Sequence, residues 1–270
     1  MTFPARETIQ HRTSVRSFDG RPLKDADRAA LEHYLATVSN PFGVAVEFRL
    51  LDTKTHGVSS PVVTGADTYI AAKVERSKNF EIAYGYSFES VCLFAKSLGL
   101  GTVLLAASLS RSAFEKAMEV TEKEVMCAAS PVGYPAQKRS MRDSLMRKAL
   151  KSDERIAFDQ LFFDGTYGVG LTKEDAGVFA DALEMARWAP SATNKQPWRA
   201  VVDHNTVHFF EDKTIKDSAL GDVQKVDVGI ALAHFDLTLQ EDGISGRFLD
   251  ADPMLTVPDN VHYLISYERA

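Results

Sequence analysis

The chain has 270 residues, of which 45% are hydrophobic and 25% are charged, as is usual for a soluble globular protein. Its net charge of −6 argues against general nucleic-acid binding. Two cysteines fit a reducing cytoplasm better than a disulfide framework. The N-terminus lacks the apolar core of a signal peptide, and no apolar run approaches the roughly 18 residues of a membrane helix. We therefore expect a cytoplasmic protein with no nucleic-acid partner and no membrane partner.

The N-terminal sequence HRTSVRSF places Arg12, Ser14 and Arg16 at alternate positions. In an extended segment, side chains with this spacing face the same way. Two guanidinium groups beside a hydroxyl group can hold a phosphate through charge-assisted hydrogen bonds. The alternative is a solvated basic patch.

The first half then shows helix and strand patterns in alternation. Apolar residues recur at helical spacing over residues 23–38, and the strand-like run VAVEFRLLD follows the loop SNPFG. A second amphipathic helix over residues 85–101 ends in glycines, and the strand-like run EVMCAASPVGY comes after it. The basic residues Lys138, Arg139 and Arg142 come next, and they either add charge to a phosphate site or begin an exposed helix.

The second half repeats this order. Residues 171–186 have helical spacing, with Thr172 and Asp175 resembling a helix-start capping pair. The loop APSATNKQPW follows, and its polar groups beside Trp188 and Trp198 suit a surface for a flat ligand. A strand hairpin over 199–212, a helix over 229–246 and a last strand, NVHYLISYE, complete the pattern. The spacing of His204 and His208 would suit a metal only on a helix, so the hairpin argues against a metal site.

Matching elements in the two halves lie at nearly one offset. Gly85 corresponds to Gly229 (229 − 85 = 144) and Gly99 to Gly243 (243 − 99 = 144), while the first helices are offset by 171 − 23 = 148. Either helical periodicity produces this by chance, or a helix–strand–helix–strand unit is duplicated. We favour duplication, which would make the chain a pseudo-twofold dimer fused in one polypeptide. The expected halves are 1–160 and 161–270, joined near residues 151–170.

Three motifs resemble those of the nitroreductase family of flavoproteins. HRTSVRSF resembles the N-terminal flavin-phosphate segment, and APSATNKQPWRAVV is similar to the family's Pro-Ser-Ser-x-Asn-x-Gln-Pro-Trp loop. AKSLGLGTVLLAASL, followed later by SPVGYPAQKRS, is similar to the central helix, its glycine turn and the later strand with a basic tail. The resemblance implies an α+β, nitroreductase-like fold. In ordinary members the Gln-Pro-Trp loop lies soon after the N-terminal motif, whereas here it lies in the second half, as in a subgroup whose single chain contains both halves of the dimer.

In the family, FMN binds between two subunits, so the position of the Gln-Pro-Trp loop in the second half affects how many FMN sites the chain can form. The first half keeps the arginine motif and has only SNPFG where its own loop would be, whereas the second half keeps the loop and lacks the arginines. The resemblance therefore implies one complete FMN site per chain and a defective pseudo-symmetric mate. Because both walls of the site lie in one polypeptide, we expect the chain to work as a monomer.

The resemblance also implies roles for individual residues. Arg12, Thr13 and Ser14 would form the phosphate segment with help from Lys138 or Arg139, and Arg16 would lie near the flavin's pyrimidine edge. The loop contacts would come from Pro190, Ser191, Ala192 and Asn194, with Ala192 replacing the usual second serine. Beside the redox edge, family members often have Glu-Gly or Gly-Gly, and the corresponding stretch here includes Leu105, Ala106 and Ala107. These residues keep backbone donors but supply no carboxylate, which departs from the standard catalytic geometry.

We therefore expect an FMN-dependent oxidoreductase that uses NADH or NADPH by a ping-pong mechanism. Its partner would be a small-molecule electron acceptor such as a nitroaromatic compound or a quinone. No acid or base residue is evident from the sequence, which fits chemistry carried by the cofactor. The alternative is a flavin-binding or ligand-binding module with little turnover, which Ala192 and the missing Glu-Gly favour.

Overall fold

The computed structural model describes residues 3–137 and 154–270. Strands of the first half form an antiparallel sheet in the order β1-β2-β5-β3, with β4 paired to β2. Strand β2 reads TYIAAKVE and is buried along nearly its whole length. This sheet consists of β1 (Val46–Asp52), β2 (Thr68–Glu75), β3 (Gly101–Thr102), β4 (Glu124–Val125) and β5 (Ala129–Gly133).

Strands of the second half form another five-stranded sheet, in the order β6-β7-β8-β10-β9. Its β6–β7 pair is parallel and its other pairs are antiparallel. The predicted hairpin is present, with His204 in the left-handed region at its turn (φ +52°). The strands are β6 (Phe162–Asp164), β7 (Trp198–Asp203), β8 (Thr206–Asp212), β9 (Gly246–Leu249) and β10 (Val261–Arg269).

Helices lie between and around the two sheets, so the predicted α+β class is confirmed. No helix within the described ranges is long and apolar enough to cross a lipid bilayer. Short 3₁₀ turns occur at Gly177–Phe179 and Ala192–Asn194. The helices are α1 (Ala5–His11), α2 (Asp25–Thr37), α3 (Thr53–His56), α4 (Phe80–Ser97), α5 (Arg111–Ala117), α6 (Phe158–Leu161), α7 (Ala180–Arg187) and α8 (Val223–Glu241).

The two longest helices, α4 and α8, cross at the pair of glycines that the sequence aligned. A Cβ atom on Gly85 would lie 2.0 Å from the carbonyl oxygen of Val226 and 3.2 Å from Cα of Gly229. A Cβ atom on Gly229 would lie 2.2 Å from the carbonyl oxygen of Ile82. Only glycine allows the two backbones to approach so closely. The crossing brings one long helix of each half into the centre of the molecule.

The helix predicted over residues 171–186 is wrong in its first half. The hydroxyl group of Thr172 accepts the N–H of Asp175 at 3.1 Å and donates to Oδ2 of Asp175, but this pair closes an isolated turn. Gly177 adopts a left-handed backbone (φ +53°), which a continuous α-helix does not allow. The regular helix α7 therefore begins at Ala180.

The N-terminal segment lies against elements of both halves. Phe3, Ala5 and Ile9 pack in one apolar cluster with Leu93, Met185 and Leu237. After α1 the backbone runs beside β3, where the N–H of Val15 donates to the carbonyl oxygen of Thr102 at 2.9 Å. Gly101 makes this approach possible, because a Cβ atom there would lie 2.7 Å from Cβ of Val15. The segment that carries the predicted phosphate-binding residues is therefore fixed on the fold.

Candidate functional site

A cavity of about 860 Å³ lies where the N-terminal segment, the loop after β3, the loop after α7 and the start of α8 meet. Every predicted site residue within the described ranges lines it, namely Arg12, Thr13, Ser14, Arg16, Leu105, Ala106, Ala107, Pro190, Ser191, Ala192 and Asn194. Lys138 and Arg139 lie outside the described residues. Segments more than 170 residues apart in the sequence thus form one continuous wall.

Arg12 is held in this wall by a buried carboxylate. It follows α1 directly, and its side chain is only 8% exposed. Its Nε lies 3.3 Å from Oε1 of Glu89, a buried residue of α4 that also lines the cavity. Oε1 of Glu89 lies 2.9 Å from Nε2 of His234 on α8. The arginine is therefore positioned by both central helices.

The hydrogen bonds of His234 fix the charge of this group. Its Nδ1 lies 3.0 Å from the carbonyl oxygen of Met185, which can only accept, so Nδ1 carries a proton. A second proton lies between Nε2 and Glu89, since that contact also needs a donor. Imidazole and carboxyl group together are then neutral, whichever atom holds this proton. Arg12 keeps its positive charge, so the group of Arg12, Glu89 and His234 has a net charge of +1 at the cavity wall.

The loop after β3 presents backbone donors. Leu105 pairs with Ala129 through two backbone hydrogen bonds of 2.9 and 3.0 Å, and the carbonyl oxygen of Ala106 accepts from Arg111. Within the described part of the chain, the backbone N–H groups of Ala106 and Ala107 have no acceptor. Because both residues line the cavity, their N–H groups can donate to a molecule bound there.

The loop over residues 190–196 is strained and held by side chains. Thr193, Asn194 and Gln196 all have positive φ values, between +50° and +56°. Oγ of Ser191 accepts the N–H of Gln196 at 2.8 Å, and Oε1 of Gln196 accepts the N–H of Ile156 at 3.0 Å. A strained backbone of this kind persists only where surrounding contacts hold it in place, and such strain is common at ligand-binding sites.

The two tryptophans of the second half have different positions. Trp188 lines the cavity and is 39% exposed, so it agrees with the expected surface for a flat ligand. Trp198 begins β7 and is buried in the apolar core, where it packs away from the cavity. The prediction that both rings face a ligand is therefore wrong for Trp198, because the strand starts at that residue and its side chain alternates into the core.

Sequence reasoning missed two buried acids in the cavity wall, Glu89 and Asp227. Oδ2 of Asp227 accepts the backbone N–H of Ala192 at 2.9 Å, which ties α8 to the strained loop. Burial raises the pKa of the Asp227 carboxyl group well above its usual range. Each acid is the one charged residue of an uncharged and largely apolar helix stretch, SFESVCLF or VDVGIALA, and a lone charge in such a helix is a signal for a functional residue.

The two cysteines are free and buried, as expected, and both border the cavity. Burial raises the pKa of Cys92 and of Cys127 to about 12, so both thiols remain protonated at neutral pH. Across residues 3–137 and 154–270, no cluster of three or more His, Cys, Asp or Glu residues could hold a metal ion.

Comparison with known proteins places this geometry in a family. No curated protein matches the chain. Its fold is similar to that of a crystal structure from Thermotoga maritima MSB8 described as a putative nitroreductase, with a TM-score of 0.66, 19% identity and coverage of 100% of this chain and 94% of that one. A nitroreductase with bound FMN from Bacteroides fragilis NCTC 9343 is also similar, with a TM-score of 0.42, 18% identity and coverage of 52% and 92% respectively. Residues 5–239 match the family model described as "Putative TM nitroreductase". Because this match covers most of the chain, the protein belongs to that nitroreductase family, and the nitroreductase-like fold expected from its motifs is confirmed.

Proposed function

We propose that the chain binds one FMN in this cavity and is an oxidoreductase that reduces nitroaromatic compounds, quinones or similar acceptors. NADH or NADPH would be the reductant, in a ping-pong reaction. The observation that carries the proposal is the composition of the cavity wall. It joins the arginine motif of the first half to the Pro-Ser-Ala-Thr-Asn loop of the second half around one space.

The residues present fit a flavin mononucleotide. A volume of about 860 Å³ is within the range of roughly 300–1,000 Å³ typical of cofactor pockets. The net positive charge of the Arg12 group suits a phosphate, and Ser14 adds a hydroxyl donor beside it. Arg16 and the N–H groups of Ala106 and Ala107 suit the polar edge of a ring system, because they supply donors and positive charge.

FMN, when bound, supplies the electron-transfer chemistry. The chain's residues bind and orient it, and apolar side chains of the wall such as Leu104, Val226 and Ile230 exclude water. Arg16 would stabilise negative charge that develops in the cavity during reduction.

We also propose that the chain is a fused pseudo-dimer, with halves at 1–160 and 161–270, and that its second site is closed. The offset of 144 residues relates the cavity residues Cys92 and Ile230 to Asp236 and Tyr86. At that equivalent position, the hydroxyl group of Tyr86 donates to Asp236 at 2.6 Å, and the ring of Phe42 packs 5.7 Å from the Tyr86 ring. Phe42 belongs to the loop SNPFG. If the halves are related in this way, these aromatic side chains would fill the space that a second flavin would need.

One observation favours the alternative of a binding module with little turnover. The loop after β3 supplies Leu105, Ala106 and Ala107 where family members often carry a carboxylate or a second glycine. The backbone donors of this loop are present, so FMN binding is compatible with either outcome, and turnover decides between them.

The experiment measures bound flavin and its reduction. Freshly purified protein, or apo-protein reconstituted with FMN, is freed of excess flavin, and its flavin content is measured against protein concentration. Anaerobic NADH or NADPH should bleach the flavin absorbance, and menadione or a nitroaromatic compound should restore it. Absence of flavin after reconstitution would refute the cofactor assignment. Bound flavin that neither nucleotide reduces would support the binding module instead.

A further inference from the structure

Asp227 presents an acid group to the cavity without a charged partner. The residue lies near the start of α8, is 3% exposed and lines the cavity. Its Oδ2 accepts the N–H of Ala192. Within the described residues, its Oδ1 has no hydrogen-bond partner, and no cation lies within ion-pair distance of either oxygen. One carboxyl oxygen therefore remains for a molecule bound in the cavity.

The surroundings of Asp227 favour its neutral form. Burial is the main reason that its pKa is raised, and the N–H of Ala192 offsets only part of this. Asp222, which caps the start of the same helix, and Glu211 on β8 raise the pKa further whenever they are ionised. Among the described residues, the other charged side chains of the cavity wall are Arg12, Arg16, Glu89, Arg155 and Arg187, and none of these pairs with Asp227.

The remaining acidic groups of the wall are less suited to release a proton. Glu89 is engaged with Arg12 and His234. Cys92 and Cys127 are thiols whose pKa values of about 12 make them poor acids at neutral pH. Asp227 thus combines burial, contact with the cavity and absence of a cationic partner.

We propose that Asp227 is the proton donor of this cavity: its buried carboxyl group, which has one oxygen left for a bound molecule, gives a proton to the electron acceptor as that molecule is reduced. This inference rests on the proposed function, and it names the acid that the sequence did not reveal.

The proton balance of the reaction requires such a group. Conversion of a quinone to a hydroquinone consumes two electrons and two protons. The reduced nicotinamide supplies both electrons and one proton, in the form of a hydride equivalent carried by the cofactor. For the second proton, the O–H bond of Asp227 breaks and an O–H bond forms on the quinone oxygen. The carboxylate then regains a proton from water, so the net reaction is NAD(P)H + H⁺ + quinone → NAD(P)⁺ + hydroquinone.

The test compares Asp227→Asn with Asp236→Asn in the FMN-loaded protein. Asparagine retains an oxygen that can accept the N–H of Ala192 but cannot supply a proton. Asp236 is a matched control, since it is also a buried acid of α8 with a raised pKa, but it bonds to Tyr86 and Gln240 outside the cavity. Flavin is reduced anaerobically and then reoxidised by benzoquinone, which consumes protons, or by ferricyanide, which takes electrons alone.

We expect Asp227→Asn to slow reoxidation by benzoquinone about 100-fold, a typical contribution of a general acid. Reoxidation by ferricyanide should remain close to the wild-type rate, and Asp236→Asn should leave both rates unchanged. Equal benzoquinone rates in Asp227→Asn and wild type would overturn the proposal. Equal slowing with both oxidants would also overturn it, since Asp227 would then only hold the loop. Failure to bind FMN in the wild-type protein would instead count against the proposed function.

A second readout needs no flavin. Because the pKa of Asp227 is higher in the folded apo-protein than in the unfolded chain, the folded state holds one more proton at pH values between these two pKa values. The free energy of unfolding therefore falls as pH rises through that interval. The stability of Asp227→Asn should therefore fall less steeply than that of the wild type, by the contribution of one proton, when urea unfolding is measured at increasing pH above the ordinary range of an aspartate. An unchanged pH dependence would mean that Asp227 is ionised in the folded protein, and the proposal would fail.

Discussion

Arg12 binds its buried partner Glu89 through Nε, while the same side chain lines the cavity. Glu89 and His234 together are neutral, so they orient the arginine without cancelling its charge. In the proposed phosphate site, Arg12 is the buried guanidinium group whose position is fixed by both central helices. At the scale of individual residues, function should therefore be sensitive to Arg12 and insensitive to exposed charges of the adjoining loop.

Arg12→Ala should weaken FMN binding at least tenfold, whereas Lys195→Ala should change it little. Loss of a charged hydrogen-bond partner typically costs about 1.5–3 kcal/mol. Lys195 lies in the Gln-Pro-Trp loop that forms the opposite wall, but its side chain is exposed. Fluorescence titration of apo-protein with FMN compares the two variants, and thermal unfolding checks that both are folded. Equal losses in the two variants would show that the N-terminal motif does not hold the phosphate.

The pair of buried acids Glu211 and Asp222 predicts a pH effect on the stability of the protein. Glu211 is fully buried, and no described residue donates a hydrogen bond to either of its oxygens. Burial and the neighbouring Asp222 raise the pKa of Glu211 to about 8, so a proton on Glu211 links the two carboxyl groups. Lys213 lies 2.6 Å from Asp222 and keeps that residue ionised.

Because the folded state binds this proton more tightly than the unfolded chain, stability should decline as pH rises from about 5 to above 8. Glu211→Gln keeps a donor toward Asp222 and does not ionise, so its decline should be smaller. Urea unfolding at pH 6 and pH 9 measures the difference. A decline as steep in Glu211→Gln as in wild type would contradict the shared proton.

At the scale of elements, the crossing of α4 and α8 sets the geometry of the cavity. Glu89 and Cys92 come from α4, whereas Val226, Asp227 and Ile230 come from α8. The separation of the two helices at Gly85 and Gly229 therefore determines how far apart these walls lie.

Gly85→Ala should destabilise the protein by at least about 2 kcal/mol, in the upper part of the range for overpacked cores. Its Cβ atom would meet the carbonyl oxygen of Val226 at 2.0 Å, and this oxygen belongs to a backbone that cannot rotate away. Ser97→Ala, at an exposed position in the last turn of α4, serves as the control. Urea unfolding measures both. If Gly85→Ala matched the control, the close contact would have no energetic importance.

At the scale of the whole molecule, both walls of the cavity belong to one polypeptide. The N-terminal segment is anchored on the second half, since the N–H of Ala5 donates to Glu241 at 2.8 Å and Ile9 packs near Leu237. In the proposed pseudo-dimer, the position equivalent to this cavity would contain the rings of Phe42 and Tyr86.

We therefore predict that one FMN binds per chain and remains bound to a monomer. Analytical ultracentrifugation monitored at a flavin wavelength should show the absorbance sedimenting with a species of about one chain mass, 29.8 kDa. Two flavins per chain would refute the closed second site. Flavin found only with a dimer would show that the cavity needs a second chain.

The sequence by itself determined several of the longer elements and the motif positions. Apolar spacing located α2 and most of α4 and α8, although α4 begins five residues before the predicted 85–101 and α8 begins six residues before the predicted 229–246. Alternation located the hairpin of β7 and β8, and all described residues assigned by resemblance reached one cavity. Such patterns are local, because each depends on neighbours within a few turns or strand residues.

Only the tertiary structure decided which buried groups act together. Glu89 and His234 are 145 residues apart, and Asp227 reaches the loop at Ala192 across 35 residues. Their charge states depend on burial and on partners from other elements, which no local pattern encodes. Tertiary packing also placed the ring of Trp198 in the core, because β7 begins at that residue. The helix α7 begins only after the left-handed backbone at Gly177. Local chemistry fixed which segments could form the site, and long-range packing fixed which atoms face it.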